Sequence, residues 1–255
     1  MVGYAELAKL STFSMADVEA LTANRHTAHS MVRRLMRNGL VQKIRSNLYS
    51  CVSVETGQVI ASRYHIASGI NKTAYVSHHT AFEFHGVANQ VYHEVFVSSK
   101  SRFAGFDFEG ITYRFILSRF DDGVIEPSST EGIRVTDLER TAIDSIKDFG
   151  KVGGLEELLR CLDMLTFLDE YRLRNYVDRY GLQFLYQKTG YILEHYQEAL
   201  GLSAGFFDYC MDRVGKSTRY LLPGMSNNGV YNPRWRLVVP RDLFSMYERG
   251  GDALV

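Results

Sequence analysis

Few features in this chain would staple, stiffen or anchor it. Three cysteines, Cys51, Cys161 and Cys210, are scattered through 255 residues. An odd, widely spaced set fits neither a disulfide framework nor a zinc ribbon, and reads as buried free thiols in a reducing cytoplasm. Only four prolines occur, and no Pro/Ser-rich tract, low-complexity stretch or internal repeat interrupts the chain. A long disordered linker is therefore not expected. No apolar run approaches the ~18–20 residues that span a bilayer. The opening Met1-Val2-Gly3-Tyr4-Ala5-Glu6 lacks the basic stretch and apolar core of a secretion signal. These absences point to a cytoplasmic protein with no membrane partner.

Net charge is also missing, with 29 Lys/Arg against 29 Asp/Glu, but the balance is uneven. Residues 1–52 hold seven basic side chains and three acids, a net +4 that the remainder offsets. Such an arrangement suits a small basic module that meets phosphate, carried on a near-neutral body. The 45% hydrophobic and 23% charged fractions are those of an ordinary globular chain. Its length suffices for two or three domains.

The first fifty residues carry the clearest local grammar. A short helix is expected over 2–10, with Leu7 and Leu10 apolar. Ser14 and Asp17 then form a capping-box pair before a second helix whose buried face is Val18 and Leu21. Asn24 caps a third helix running to Asn38, with Gly39 as its stop. Ala28, Met31, Val32, Leu35 and Met36 share one face of that helix at 3–4 spacing. His26, Ser30, Arg33 and Arg37 occupy the opposite face, flanked by Thr27, His29 and Arg34, with Arg25 at the edge. After Gly39 the period becomes two, over Leu40 to Arg45 and Leu48 to Val52. Ser46-Asn47 makes the turn between them, Asn47 being a residue that tolerates positive φ.

Two helices joined by a short turn, the second polar outside, followed by a basic hairpin, make a winged helix-turn-helix pattern. Arg33, Arg34, Arg37, Lys43 and Arg45 would contact phosphate, with Asn47 at the wing tip. Arg25, His26, Thr27 and Ser30 would face base edges in the major groove of double-stranded DNA. The alternative is a winged helix that only docks another protein.

The rest reads as an α+β middle region followed by a mostly helical C-terminal region. Expected middle elements are a helix over 57–71, a short strand at Ala74 to Ser77, a helix from His78 to His85, and strands at Val91–Val97, Ile111–Leu117 and Gly132–Thr136. A helix begins near Asp137. From Gly153 to Val214 the pattern is helical, and Trp235 to Pro240 forms a terminal strand. The implied domains are 1–54, 55–150 and 151–255.

Two clusters resemble chemistry. His79 and Glu83 share a metal-ligand spacing, beside His78 and His85, but no third ligand motif accompanies them. Glu139-Arg140-Thr141 with Asp144 lacks a nuclease's acid-and-lysine frame; helix capping by Thr136 or Asp137 and a Glu139–Arg140 ion pair explain it more simply. No phosphate loop, nucleophile elbow or Cys-His pair occurs, so no catalytic residue, metal or cofactor is expected. The C-terminal tyrosines read mainly as core.

Several segments in order resemble the AbiEi family of type IV toxin–antitoxin antitoxins. Phe13 to Val18 and Leu35 to Tyr49 are similar to its N-terminal winged helix, which usually has glycine where Asn47 stands. Leu138 to Asp144, with Gly153-Gly154-Leu155 after it, is similar to its ERTLLD…GG segment; Thr189 to Glu194 and Trp235-Arg236-Leu237 resemble its C-terminal marks. The resemblance implies a non-enzymatic operon protein with two jobs. Its winged helix would bind inverted repeats in its own promoter and repress it. Its larger part would counter a nucleotidyltransferase-like toxin, by direct binding or through a shared target. A ligand-responsive winged-helix regulator without an antitoxin role is the other reading.

Overall fold

Local capping chemistry sets the first helices. The computed structural model of the chain describes residues 3–222, 229–241 and 243–244. After α1 (Tyr4–Ala8), α2 (Met15–Thr22) begins at Ser14, whose Oγ accepts the Asp17 N–H at 3.3 Å while Asp17 accepts the Ser14 N–H at 2.7 Å. Asn24 starts α3 (Arg25–Arg37) by accepting the Thr27 N–H at 3.0 Å, and Gly39 at φ +71° turns the chain out of it. The hairpin comes next, β1 (Val41–Arg45) and β2 (Leu48–Cys51), with Asn47 at φ +58° in its turn. Phe13 adds a third partner that sequence periodicity does not reveal: it exchanges two 2.9 Å backbone bonds with Tyr49. Leu7, Phe13, Val18, Ala28, Met31, Val32, Leu35, Val41 and Cys51 close one core beneath these elements. Leu10, Leu21 and Met36, expected on apolar faces, are instead exposed. The buried stripe of each helix is narrower than its apolar periodicity.

Beyond the hairpin the chain builds a mixed sheet. The expected helix over 57–71 shortens to α4 (Arg63–Gly69), because Val59 pairs with Val52 instead. Arg134 closes α4, donating to the carbonyls of Ser68 at 2.9 Å and Asn71 at 2.8 Å, where a helix C-terminus attracts a cation. The strands are β3 (Tyr75–Val76), β4 (Glu94–Ser99), β5 (Phe106–Phe108), β6 (Ile111–Leu117), β7 (Val124–Ile125) and β8 (Val135–Thr136), in the order β5-β6-β4-β3-β8-β7. The pairs β4–β6 and β3–β8 are parallel; β3–β4, β5–β6 and β7–β8 are antiparallel. Helix α5 (His79–Phe84) leaves this sheet before β4.

Helices dominate the chain after Asp137: α6 (Leu138–Lys147), α7 (Leu155–Asp163), α8 (Glu170–Tyr180), α9 (Gln183–His195) and α10 (Ala204–Met211). Asp137 caps α6, accepting from the Arg140 N–H at 2.8 Å and the Tyr176 hydroxyl at 2.6 Å. The expected Glu139–Arg140 pair is not what forms. Neighbours on a helix do not face each other, whereas i,i+4 residues do. Arg140 therefore pairs with Asp144 at 2.8 Å, both side chains 2% exposed, and Glu139 accepts the Asp169 N–H at 2.9 Å. A last sheet, β9 (Arg219–Tyr220), β10 (Gly229–Asn232) and β11 (Leu237–Pro240), has the order β10-β11-β9. Trp235 lies beneath it, fully buried against Gly190 of α9.

The fold is mixed α+β. It divides into two compact units, Met1–Thr80 with Tyr92–Thr136, and Ala81–Val91 with Asp137–Val255. The hairpin is bonded onward to the segment that follows it: Ser50 Oγ accepts the Ala61 N–H at 3.3 Å and donates to the Ser11 carbonyl at 2.6 Å. Among the described residues no helix is long and apolar enough to cross a membrane. Cys51, Cys161 and Cys210 are free and buried. Burial pushes their thiols up to about 11, 12 and 12, which leaves them inert at neutral pH.

A Cβ at Gly190 would overlap the Trp235 ring system. Gly190→Ala is therefore expected to destabilise the protein by about 1–3 kcal/mol through overpacking, read as a lower denaturation midpoint. An unchanged midpoint would show that Trp235 can move aside.

Candidate nucleic-acid interface

Helix α3 has a strict division of faces. Ala28, Met31, Val32 and Leu35 are buried, while Arg25, His26, Thr27, His29, Ser30, Arg33, Arg34 and Arg37 are all exposed. The exposed side borders a groove of ≈830 Å³ lined by Leu21, Thr22, His26, Thr27, Ser30, Met31, Arg34 and Arg37. Two guanidiniums, an imidazole and two hydroxyl groups of α3 thus meet in one concavity, and no carboxylate among the described residues lines it. Hydroxyl and imidazole groups can exchange hydrogen bonds with base edges, and the guanidiniums can contact guanine or phosphate.

An acid does stand at the edge of this face. Glu19 on α2 lies 3.8 Å from Arg25 and 3.7 Å from His29. Arg25 remains 79% exposed in its side chain, and such surface pairs are worth only ~0–1 kcal/mol. A phosphate or base could therefore displace Glu19 from Arg25 at little cost. Spacing along the chain carries no signal for this contact, since it joins two helices across a turn.

The hairpin residues divide differently from expectation. Lys43 is exposed on β1, opposite Tyr49. Arg45, expected to reach phosphate, is turned the other way. Its guanidinium lies 4.9 Å from the Phe106 ring centroid and 5.4 Å from that of Phe103, and it is half-buried. Burial lowers its pKa from the ordinary arginine value. Phe106 in turn stacks on Tyr113 with centroids 4.7 Å apart. Arg45 therefore fastens the hairpin to β5 rather than extending it toward a ligand. Asn47 has a structural duty too: its Oδ1 accepts the Met15 N–H at 3.0 Å, satisfying a first-turn donor of α2 that the helix itself cannot.

His78 Nδ1 lies 2.9 Å from the Ser77 hydroxyl, and the buried His79 ring sits 4.2 Å from that of Tyr92.

No family model matches the sequence, and no curated protein matches it. The fold is similar to that of the Rv2827c protein from Mycobacterium tuberculosis, known from a crystal structure. The two agree with a TM-score of 0.66 at 14% identity, over 98% of this chain and 93% of that one. At that identity the likeness speaks for the fold alone.

Arg45→Ala is expected to lower stability by about 0.5–2 kcal/mol, the range of a partly desolvated cation–π contact. Lys43→Ala should leave the thermal midpoint within error. Equal midpoints for the two variants would contradict the clasp between hairpin and sheet.

Proposed function

We propose that this chain is a DNA-binding antitoxin and autorepressor whose α1–α3 and β1–β2 act as a winged helix-turn-helix. The observation that carries the DNA-binding part is the carboxylate-free groove along the exposed face of α3. That face supplies polar groups at its N-terminal end and guanidiniums further along. An α-helix of this kind fits the ≈12 Å wide major groove. Arg25, His26, Thr27 and Ser30 are the base readers in this reading, and Arg33, Arg34 and Arg37 the phosphate contacts. Lys43 is the hairpin's contribution to the backbone. Arg45 orients the wing and is not counted among the contacts.

The antitoxin part rests on the sequence resemblance to the AbiEi family, carried by the segments around Leu138–Asp144, Thr189–Glu194 and Trp235–Leu237. In this reading the first job belongs to α3 and its hairpin, and the counteraction of a nucleotidyltransferase-like toxin belongs to the remainder. The hairpin is bonded into the following segment, so the two jobs are best separated by point substitutions in the full chain.

The full-length Arg33→Ala/Arg34→Ala/Arg37→Ala variant should fold normally, because all three side chains are exposed. Its affinity for promoter duplex should collapse, and the slope of log affinity against log salt should shrink by about 0.9 for each phosphate contact removed. The same variant should still protect cells from the toxin encoded beside it. Unchanged duplex affinity and salt slope would remove the DNA reading; loss of protection together with promoter binding would remove the division of labour.

A further inference from the structure

The terminal sheet carries a second charged surface, remote in sequence from α3. From Arg213 to Arg241 the sequence holds six Lys/Arg and no Asp or Glu. Arg213 and Arg234 lie near carboxylates, 4.0 Å from Asp178 and 3.0 Å from Glu194. Lys216, Arg219, Arg236 and Arg241 are exposed, and none has an ion-pair partner among the described residues. A cluster of cations without an ion-pair partner among the described residues is a local source of positive potential in a chain of zero net charge.

Aromatic rings stand among these cations. The register pairs Tyr231 with Val238, and Val238 with Tyr220. Residues directly opposite on neighbouring strands share a face, so the two tyrosines flank Val238 in one row. The other face holds Leu237 and Val239, 0% and 6% exposed, and is turned to the core. Tyr220 and Tyr231 are 49% and 50% exposed. Two strand spacings place their backbones about 10 Å apart. The Arg219 N–H donates to the Arg236 carbonyl at 3.0 Å, which places the Arg236 backbone at one end of the sheet, next to β9. Arg241 follows the opposite end of β11.

We propose that this sheet binds single-stranded nucleic acid, with bases stacked on Tyr220 and Tyr231 and phosphates held by Lys216, Arg236 and Arg241. An exposed sheet face bearing aromatic rings suits bases that are free to splay, whereas a duplex keeps its base faces stacked and hidden. The cations match a phosphate backbone and disfavour a basic protein partner. The site is independent of the duplex-binding reading of α3 and stands if that reading fails.

The test uses the full chain and fluorescein-labelled oligouridylate and oligothymidylate of about 15 nucleotides, near the upper site size of a single binding module. Fluorescence anisotropy at low salt should show binding, with preference for one polymer distinguishing RNA from single-stranded DNA. Tyr220→Ala/Tyr231→Ala should weaken it about tenfold per tyrosine, whereas Tyr220→Phe/Tyr231→Phe, which keeps both rings, should retain it. If the double alanine variant loses cooperative unfolding, either single alanine variant, each on an edge strand, carries the same comparison. The Arg33→Ala/Arg34→Ala/Arg37→Ala variant should bind single strands like the unaltered protein. Absence of binding to both polymers overturns the proposal. So does equal affinity before and after removal of the tyrosine rings, or loss of single-strand binding with the α3 arginines alone.

Discussion

Everything at the N-terminal end depends on α3 burying one narrow stripe. Met31, Val32 and Leu35 each contribute about 1.5–3 kcal/mol by leaving water, and Ala28 lets the helix approach its neighbours closely. The ion pairs Glu19 makes with Arg25 and His29 are worth far less. Packing therefore fixes the rotation of α3 about its axis, and the polar residues take whatever side remains. Their shared exposure is a consequence of the core, which lets that face carry cations without a stability role of its own.

The hairpin is held by a different means. Phe13 gives it a third backbone partner, Asn47 ties its turn to the first turn of α2, and Arg45 stacks on Phe103 and Phe106. Three contacts, two from Phe13–Met15 and one from Phe103 and Phe106, converge on this short hairpin. A two-stranded hairpin alone is marginal in water, so these ties supply the order that would let Lys43 meet a phosphate at a fixed distance from α3. In the second unit the analogous fixed point is Arg140 on Asp144, with the Tyr180 hydroxyl donating to the same carboxylate. A buried pair of this kind does not by itself add much stability, but removing one partner leaves an uncompensated charge. It fixes how α6 meets α8.

Legibility in the sequence follows the range of the interactions. The caps at Ser14, Asn24 and Asp137 and the positive φ of Asn47 are local chemistry, and each can be read from its own neighbourhood. The exposed face of α3 is legible for the same reason, since periodicity alone separates it from Ala28 and Leu35. Periodicity does not give the width of a buried stripe, so it places Leu21 and Met36 on the wrong side. The strands β5, β7, β9 and β10 are two to four residues long and exist because of partners elsewhere. Arg45 escapes a local reading because its rings lie at Phe103 and Phe106, far along the chain. Cation–π pairing leaves no spacing signature, and a basic residue on a hairpin looks the same whether it faces solvent or an aromatic pair. The AbiEi resemblance belongs to sequence segments, and the fold itself is the mixed α+β arrangement shared with Rv2827c.

Backbone hydrogen exchange with and without promoter duplex reports which segment the DNA covers, and so tests the role of α3 outright. On duplex addition, exchange should slow in Arg25–Arg37 and in the Val41–Cys51 hairpin, with little change in α7 to α10. Protection confined to the helices after Asp137, with α3 exchanging as in the free protein, would contradict a DNA-binding α3.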